Sequence, residues 1–160
     1  MAIATTLERL LQHQGLPYKL VAHPHTESSL RTAQAAHVPA GQLIKAVMLR
    51  DPQGFIMAVL PASHRVELGV LHKTLDRPLA LATERELEEE LTQRVLDCEP
   101  GAIPPIGPAY GLETLLEVSV TELPEVYFEA GDHEDLVQMV TGDYLTLLEG
   151  VRRLSFSRLA

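Results

Sequence analysis

Between Glu99 and Pro108 the sequence reads Glu-Pro-Gly-Ala-Ile-Pro-Pro-Ile-Gly-Pro, four prolines and two glycines in ten residues. No helix or strand ladder runs through such a stretch. Each proline holds φ near about −65° and removes a backbone N–H. Each glycine admits positive φ and lets another backbone or a ligand come close. The expected product is a stiff loop whose few remaining donors point in fixed directions. Two readings follow, a rigid connector between two halves of a domain or a wall presenting one or two amides to a small substrate.

The rest of the chain must build its core with little aromatic help. Hydrophobic residues make up 46% of the 160 positions, aromatics only 4%, and there is no Trp, so Leu, Val, Ile and Ala carry the packing. That length suits one globular domain spanning residues 1–160. The single cysteine, Cys98, excludes an internal disulfide and a multi-Cys zinc site and fits a reducing cytoplasm. Thirteen Lys and Arg against 22 Asp and Glu leave a net charge of −9, which argues against a protein that grips DNA or long RNA. A small contact with one nucleic-acid end remains compatible. The start, Met-Ala-Ile-Ala-Thr-Thr, lacks the basic and apolar regions of a signal peptide. No apolar run approaches the roughly 20 residues that span a bilayer. No membrane partner and a cytoplasmic location are the expectations.

Thr5 to Glu8 reads as a capping box, with Thr5 as N-cap, opening a helix to about Gln14 that Gly15 ends. A short strand at 18–22 leads to His23-Pro24-His25, and Ser28 or Ser29 caps a helix through Ala36. Leu43–Arg50 and Phe55–Leu60 form an antiparallel hairpin about the turn Asp51-Pro52-Gln53-Gly54. A helix is expected over 64–75, a strand over 79–81, and a second capping box at Thr83 and Glu86. Beyond the Pro/Gly loop, strands are expected at 115–120, 126–129 and 136–140, with a turn at Gly131-Asp132-His133. A last helix over 144–149 and a basic tail with one more strand close the chain. The pattern predicts an α+β fold, a curved mixed or antiparallel sheet flanked by helices.

Three places carry candidate chemistry. Lys45 interrupts an apolar strand and projects from the face of Val47 and Leu49. It is either an anion anchor in a pocket or an edge residue whose ammonium reaches water. His133, between Asp132 and Glu134 in a turn, is either a pocket contact and proton carrier or a solvated surface histidine. His23 and His25 share one side but have no third ligand at metal spacing, so no metal site and no cofactor are expected. The glutamate run at 84–90 reads as a solvated helix face. No nucleophile elbow, P-loop or dinucleotide fingerprint occurs.

In order and context, the Lys45 strand Leu43-Ile44-Lys45-Ala46-Val47-Met48-Leu49, the loop Gly101-Ala102-Ile103-Pro104-Pro105-Ile106-Gly107 and the turn Gly131-Asp132-His133 resemble the YbaK family, the prolyl-tRNA synthetase-associated editing domain. The resemblance covers nearly the whole chain. It implies a YbaK-like fold and hydrolysis of the ester joining a wrong amino acid to transfer RNA. No synthetase motif is present, so the implied form is free-standing and trans-acting, with the 3′ end of a mischarged tRNA as partner and a synthetase as a second one. By similarity, Lys45, Gly101 and His133 are the catalytic set. Lys45 would hold the terminal adenosine or its phosphate, and His133 would line the pocket near the aminoacyl group. Ala102, Ile103, Pro105 and Gly107 would bind substrate, with a loop amide orienting the ester carbonyl or a water. Such an ester needs only a placed water and charge stabilisation. Alanine or cysteine on the proline acceptor is the implied cargo, alanine favoured by the His133 turn. Pro104 departs from the pattern, since free-standing relatives often carry Ser there. The rival reading is a non-catalytic module that binds aminoacyl-adenosine or a protein partner as a regulator.

Overall fold

The computed structural model describes residues 3–99 and 101–160, so Pro100 of the Pro/Gly loop and the first two residues of the chain lie outside the described residues. Helix α1 (Thr5–Gln14) buries Leu7 and Leu11, and Gly15 closes it at φ +65°. The expected capping box does not form. Ala4 is the N-cap, because its amide is drawn to the Ala130 carbonyl at 2.8 Å, and Thr5 therefore enters the helix. A first-turn amide still finds a carboxylate, since Thr6 N–H donates to Asp97 Oδ2 at 2.7 Å from 91 residues away.

Strand β1 (Lys19–Ala22) is followed by α2 (Ser29–Ala35), capped by Ser28 Oγ, which accepts from Arg31 N–H at 3.2 Å. Strands β2 (Ile44–Asp51) and β3 (Gly54–Pro61) form the expected antiparallel hairpin. Alternation along β3 divides the interior. Met57 and Val59 enter a large core with Leu7, Leu11, Ile44, Met48 and Phe128, while Ile56, Ala58 and Leu60 join Leu49, Leu71 and Phe156 on the other side. Each fully buried Leu or Ile here contributes about 1.5–3 kcal/mol over its exposed state.

Residues 64–75 are not one helix. His64–Val66 is strand β4, and α3 (Leu68–Leu75) begins only after Glu67. The cause is tertiary, because β4 pairs with the far end of the chain. Strand β5 (Ala80–Leu81) adds to β2, and α4 (Glu84–Glu89) carries the Thr83–Glu86 capping box as expected. Strand β6 (Glu113–Glu117) stops short of Val120, since the Glu117 carboxylate accepts from Ser119 N–H at 3.1 Å and the chain tightens into a 3-10 turn over Val118–Glu122. Strands β7 (Glu125–Glu129) and β8 (Asp135–Val140) flank the 131–133 turn. Helix α5 (Thr141–Thr146) starts three residues earlier than expected, and the tail forms two strands, β9 (Arg152–Leu154) and β10 (Ser157–Leu159).

The described residues make three sheets, a mixed one of order β5-β2-β3-β6-β9, an antiparallel one of order β1-β8-β7, and the ribbon β10-β4. The architecture is α+β. A parallel bridge, Leu43 to Tyr127, joins the first two sheets, with Tyr127 N–H donating to Gln42 O at 3.0 Å. Lys45 and Glu129 each lie two residues beyond that bridge in the same direction. The bridge thereby sets the Lys45 strand beside the strand that feeds the 131–133 turn. No helix among the described residues is long and apolar enough to cross a membrane.

Candidate active site

Two chain segments distant in sequence meet at Gly101. The residue is exposed with φ +82°, and a Cβ there would lie 3.3 Å from His133 Cε1 and 3.4 Å from Nε2. Glycine takes the backbone angle without strain, and a Cβ there would press the ring back by a few tenths of an ångström. His133 is itself at φ +61°, an unusual angle for a non-glycine residue. Asp132 holds it there, its Oδ1 accepting from Glu134 N–H at 2.9 Å and Asp135 N–H at 3.1 Å. A third bond, Glu99 N–H to Gly131 O at 2.8 Å, ties the turn to the loop. The His25 ring stands edge-on to that of His133, centroids 5.4 Å apart, and His25 Nε2 lies 3.8 Å from Glu99 Oε2.

The remainder of the loop is held from beneath. Tyr144, fully buried, donates its hydroxyl to Pro105 O at 2.6 Å, and Ile106 N–H donates to Pro104 O at 2.7 Å. Ala102 is buried and its amide donates to Glu99 O at 3.0 Å, so this expected substrate donor is already engaged within the loop. Gly107 is buried against β6, where a Cβ would stand 1.8 Å from Thr114 Oγ1. Its glycine character therefore serves close packing on Thr114, while that of Gly101 serves the His133 contact.

Beside Gly101 opens a cavity of about 310 Å³ lined by Ala46, Met48, Leu91, Val95, Cys98, Gly101 and Ile103 among others. The lining is almost wholly apolar. The Cys98 thiol is pushed up to about 12, mainly by burial, and lies 3.1 Å from Tyr110 Oη and 3.4 Å from Asp97 Oδ1. At neutral pH it is protonated and serves as wall, not nucleophile. Lys45, Ala102, Pro105, Gly107 and His133 are not in that lining.

Lys45 is half-buried, and burial lowers its pKa. Its Nζ donates to Ala62 O at 3.4 Å, and no carboxylate of the described residues lies within ion-pair distance of it. A partly desolvated ammonium without an acid partner favours an anion beside it.

Sequence reasoning missed the buried pair behind the turn. His23 Nε2 lies 3.3 Å from Glu129 Oε1, and both residues are buried. The other ring nitrogen, Nδ1, faces Pro24 O at 2.8 Å and, the carbonyl being only an acceptor, carries a proton. Burial raises the Glu129 pKa, and the positive charge of a protonated His23 or His133 opposes that rise. The signal was a glutamate ending the apolar run Val126-Tyr127-Phe128, which reads as easily as a strand terminus. Among the described residues no group of three or more His, Cys, Asp or Glu side chains could hold a metal ion.

The sequence profile of the aminoacyl-tRNA editing domain matches residues 23–147, a span that contains the 43–49 strand, the 101–107 loop and the 131–133 turn. The chain belongs to this family. No curated protein matches it. Among solved structures, the editing domain is similar to a candidate trans-editing enzyme for prolyl tRNA synthetase, at 22% identity and a TM-score of 0.75, covering 98% of this chain and 99% of that one. A candidate signal transduction protein from Marinobacter aquaeolei VT8 matches equally well, again at 22% identity and TM-score 0.75, over 98% of this chain but only 31% of that longer one. At these identities the likeness is one of fold, and it agrees with the YbaK-like architecture expected from the sequence. Its local features are a glycine–histidine contact, an apolar cavity that opens beside Gly101, and an ammonium on β2 without an acid partner among the described residues.

Proposed function

We propose that the protein is a trans-acting aminoacyl-tRNA deacylase that hydrolyses the ester of a small mischarged amino acid, alanine or cysteine on the proline acceptor. The observation that carries this reading is the packing of the His133 ring against Gly101, whose φ of +82° strains any residue but glycine. In the proposed mechanism the terminal adenosine docks by its phosphate on Lys45. The ester carbonyl lies over the Gly101–Ile103 segment, and a water attacks it beside the His133 ring. His133 positions that water or relays its proton, and the loop backbone stabilises the charge gathering on the carbonyl oxygen. The substrate's side chain enters the apolar cavity beside Gly101. That lining excludes charged amino acids by desolvation, and it separates near-isosteres such as alanine and cysteine poorly.

Cytoplasmic action alongside a synthetase fits this reading, and the solved structure named for prolyl tRNA synthetase supports the choice of acceptor. A second reading has one residue in its favour. Pro104, buried in the loop, brings no hydroxyl to the pocket, as a non-catalytic module that only binds aminoacyl-adenosine would allow. Deacylation of a panel of mischarged tRNAs separates the two. Wild type should release alanine or cysteine, with Lys45→Ala and His133→Ala each slower by about 10²-fold or more. Failure on every member, with calorimetric binding of a non-hydrolysable aminoacyl-adenosine, would establish the binding module instead.

A further inference from the structure

An acidic protein that handles RNA must gather its few cations where the polyanion lies. One groove does so. Strands β4 and β10 pair antiparallel with Arg65 directly opposite Arg158, and Lys73 of α3 completes the wall of a groove that also includes Glu67 and Gly69. All three cations are exposed. Among the described residues none of them forms an ion pair, whereas Arg50, Arg77 and Arg85 all do. Two arginines directly opposite on one face of a ribbon repel each other, so the pairing is unfavourable until an anion bridges it.

The position relates this groove to Lys45. The ribbon and α3 cover the side of the β2–β3 sheet that holds Leu49, Leu60, Leu71 and Phe156, and Lys45 shares that β2 face. Ala62, whose carbonyl accepts from Lys45 Nζ, stands two residues before β4. From Ala62 to Arg65 the chain reaches at most roughly 10 Å. One strand offers a phosphate per roughly 3.4 Å of axis, so a 3′ end held on Lys45 can bring further phosphates within reach of the paired arginines.

We infer that the Arg65–Arg158–Lys73 groove binds phosphodiesters of the tRNA acceptor arm while the 3′ end reaches Lys45. The inference rests on the deacylase reading for its partner, and its test separates the two. Binding of an uncharged acceptor-arm RNA hairpin is measured by anisotropy across about 50 to 200 mM salt, beside deacylation of mischarged tRNA. Arg65→Glu with Arg158→Glu should weaken RNA binding by about tenfold or more and flatten the slope of log affinity against log salt by about two. Lys73→Glu should flatten it by about one. An aminoacylated adenosine 5′-phosphate, which carries no phosphate beyond the one docked on Lys45, should be hydrolysed by the double variant at the wild-type rate. Arg158→Thr should raise the melting midpoint while weakening RNA binding, a pairing that a merely structural arginine would not produce.

An unchanged salt slope in the folded double variant overturns the inference, as does an equal loss on the aminoacylated adenosine 5′-phosphate. If the double variant does not fold, Lys73→Glu and Arg65→Gln carry the same slope test. Wild-type protein that binds the hairpin through the groove but hydrolyses nothing would leave the groove standing and remove the deacylase reading.

Discussion

Gly101 and Gly107 look alike in the sequence, two glycines framing one proline-rich loop, and they meet different surroundings. A side chain at Gly101 must adopt φ +82° and approach the His133 ring, while one at Gly107 collides with Thr114 Oγ1. The substitutions should therefore fail differently. Gly101→Ala should cost about 1–2 kcal/mol in backbone strain and, by displacing the loop from His133, lower deacylation by about 10²-fold. Gly107→Ala should instead destabilise by about 1–3 kcal/mol, partly restored by Thr114→Ala, with kcat of the folded fraction little changed. Thermal melts and single-turnover deacylation of the variants check this. The roles were not legible beforehand because they are set by Thr114 and His133, whose nearness depends on tertiary packing. Lys45 was more readable, since a lysine on an apolar strand face is conspicuous wherever the strand lies.

The hairpin, the Thr83–Glu86 cap and the Gly15 stop were readable because each is decided within a few residues. Strand β4 was misread as helix because its hydrogen bonds go to β10, and nothing in His64-Arg65-Val66 announces a partner at 157–159. Glu117 governs that distant pairing. Its Oε1 accepts from Phe156 N–H at 2.9 Å, Ser157 N–H at 2.8 Å and Ser157 Oγ–H at 2.8 Å, joining the end of β6 to the start of β10. Burial alone would raise its pKa, but these donors and Ser119 N–H outweigh burial and lower it. A carboxylate with a depressed folded pKa stabilises above its unfolded value, about 4.3, and loses that contribution as pH falls through the lowered folded pKa. Wild type should lose stability over this acid range more steeply than Glu117→Gln. At neutral pH the variant should be weaker by about 2–4 kcal/mol, because buried donors lose a charged acceptor. Urea unfolding of both proteins at pH 3 to 7, a range spanning about one unit below and several above the unfolded value, measures it.

The described residues form three sheets and three hydrophobic clusters, and the parallel bridge at Leu43, itself in the third cluster, sets β2 beside β7. The sequence pattern led to a sheet flanked by helices, but it did not set apart the second sheet that carries the His133 turn, since β7 and β8 read only as further strands. The same assembly binds the first helix to the loop. Ala4 N–H reaches Ala130 O, Thr6 N–H reaches Asp97, and Glu99 N–H reaches Gly131 O. Ala4 also backs Gly131, its Cβ 2.9 Å from where a Gly131 Cβ would be. These contacts predict that the helix start and the His133 turn open as a single unit. In native-state hydrogen exchange, the amides of Ala4, Thr6, Glu99 and Ala102 should report one common opening free energy. Asp97→Ala should lower it for all four together, leaving the β2–β3 amides at the global value. Independent rates for the four would dissolve the unit. Deuterium uptake at Ala4, far from Lys45 in sequence, would then serve as a clock for how often the editing loop lets go.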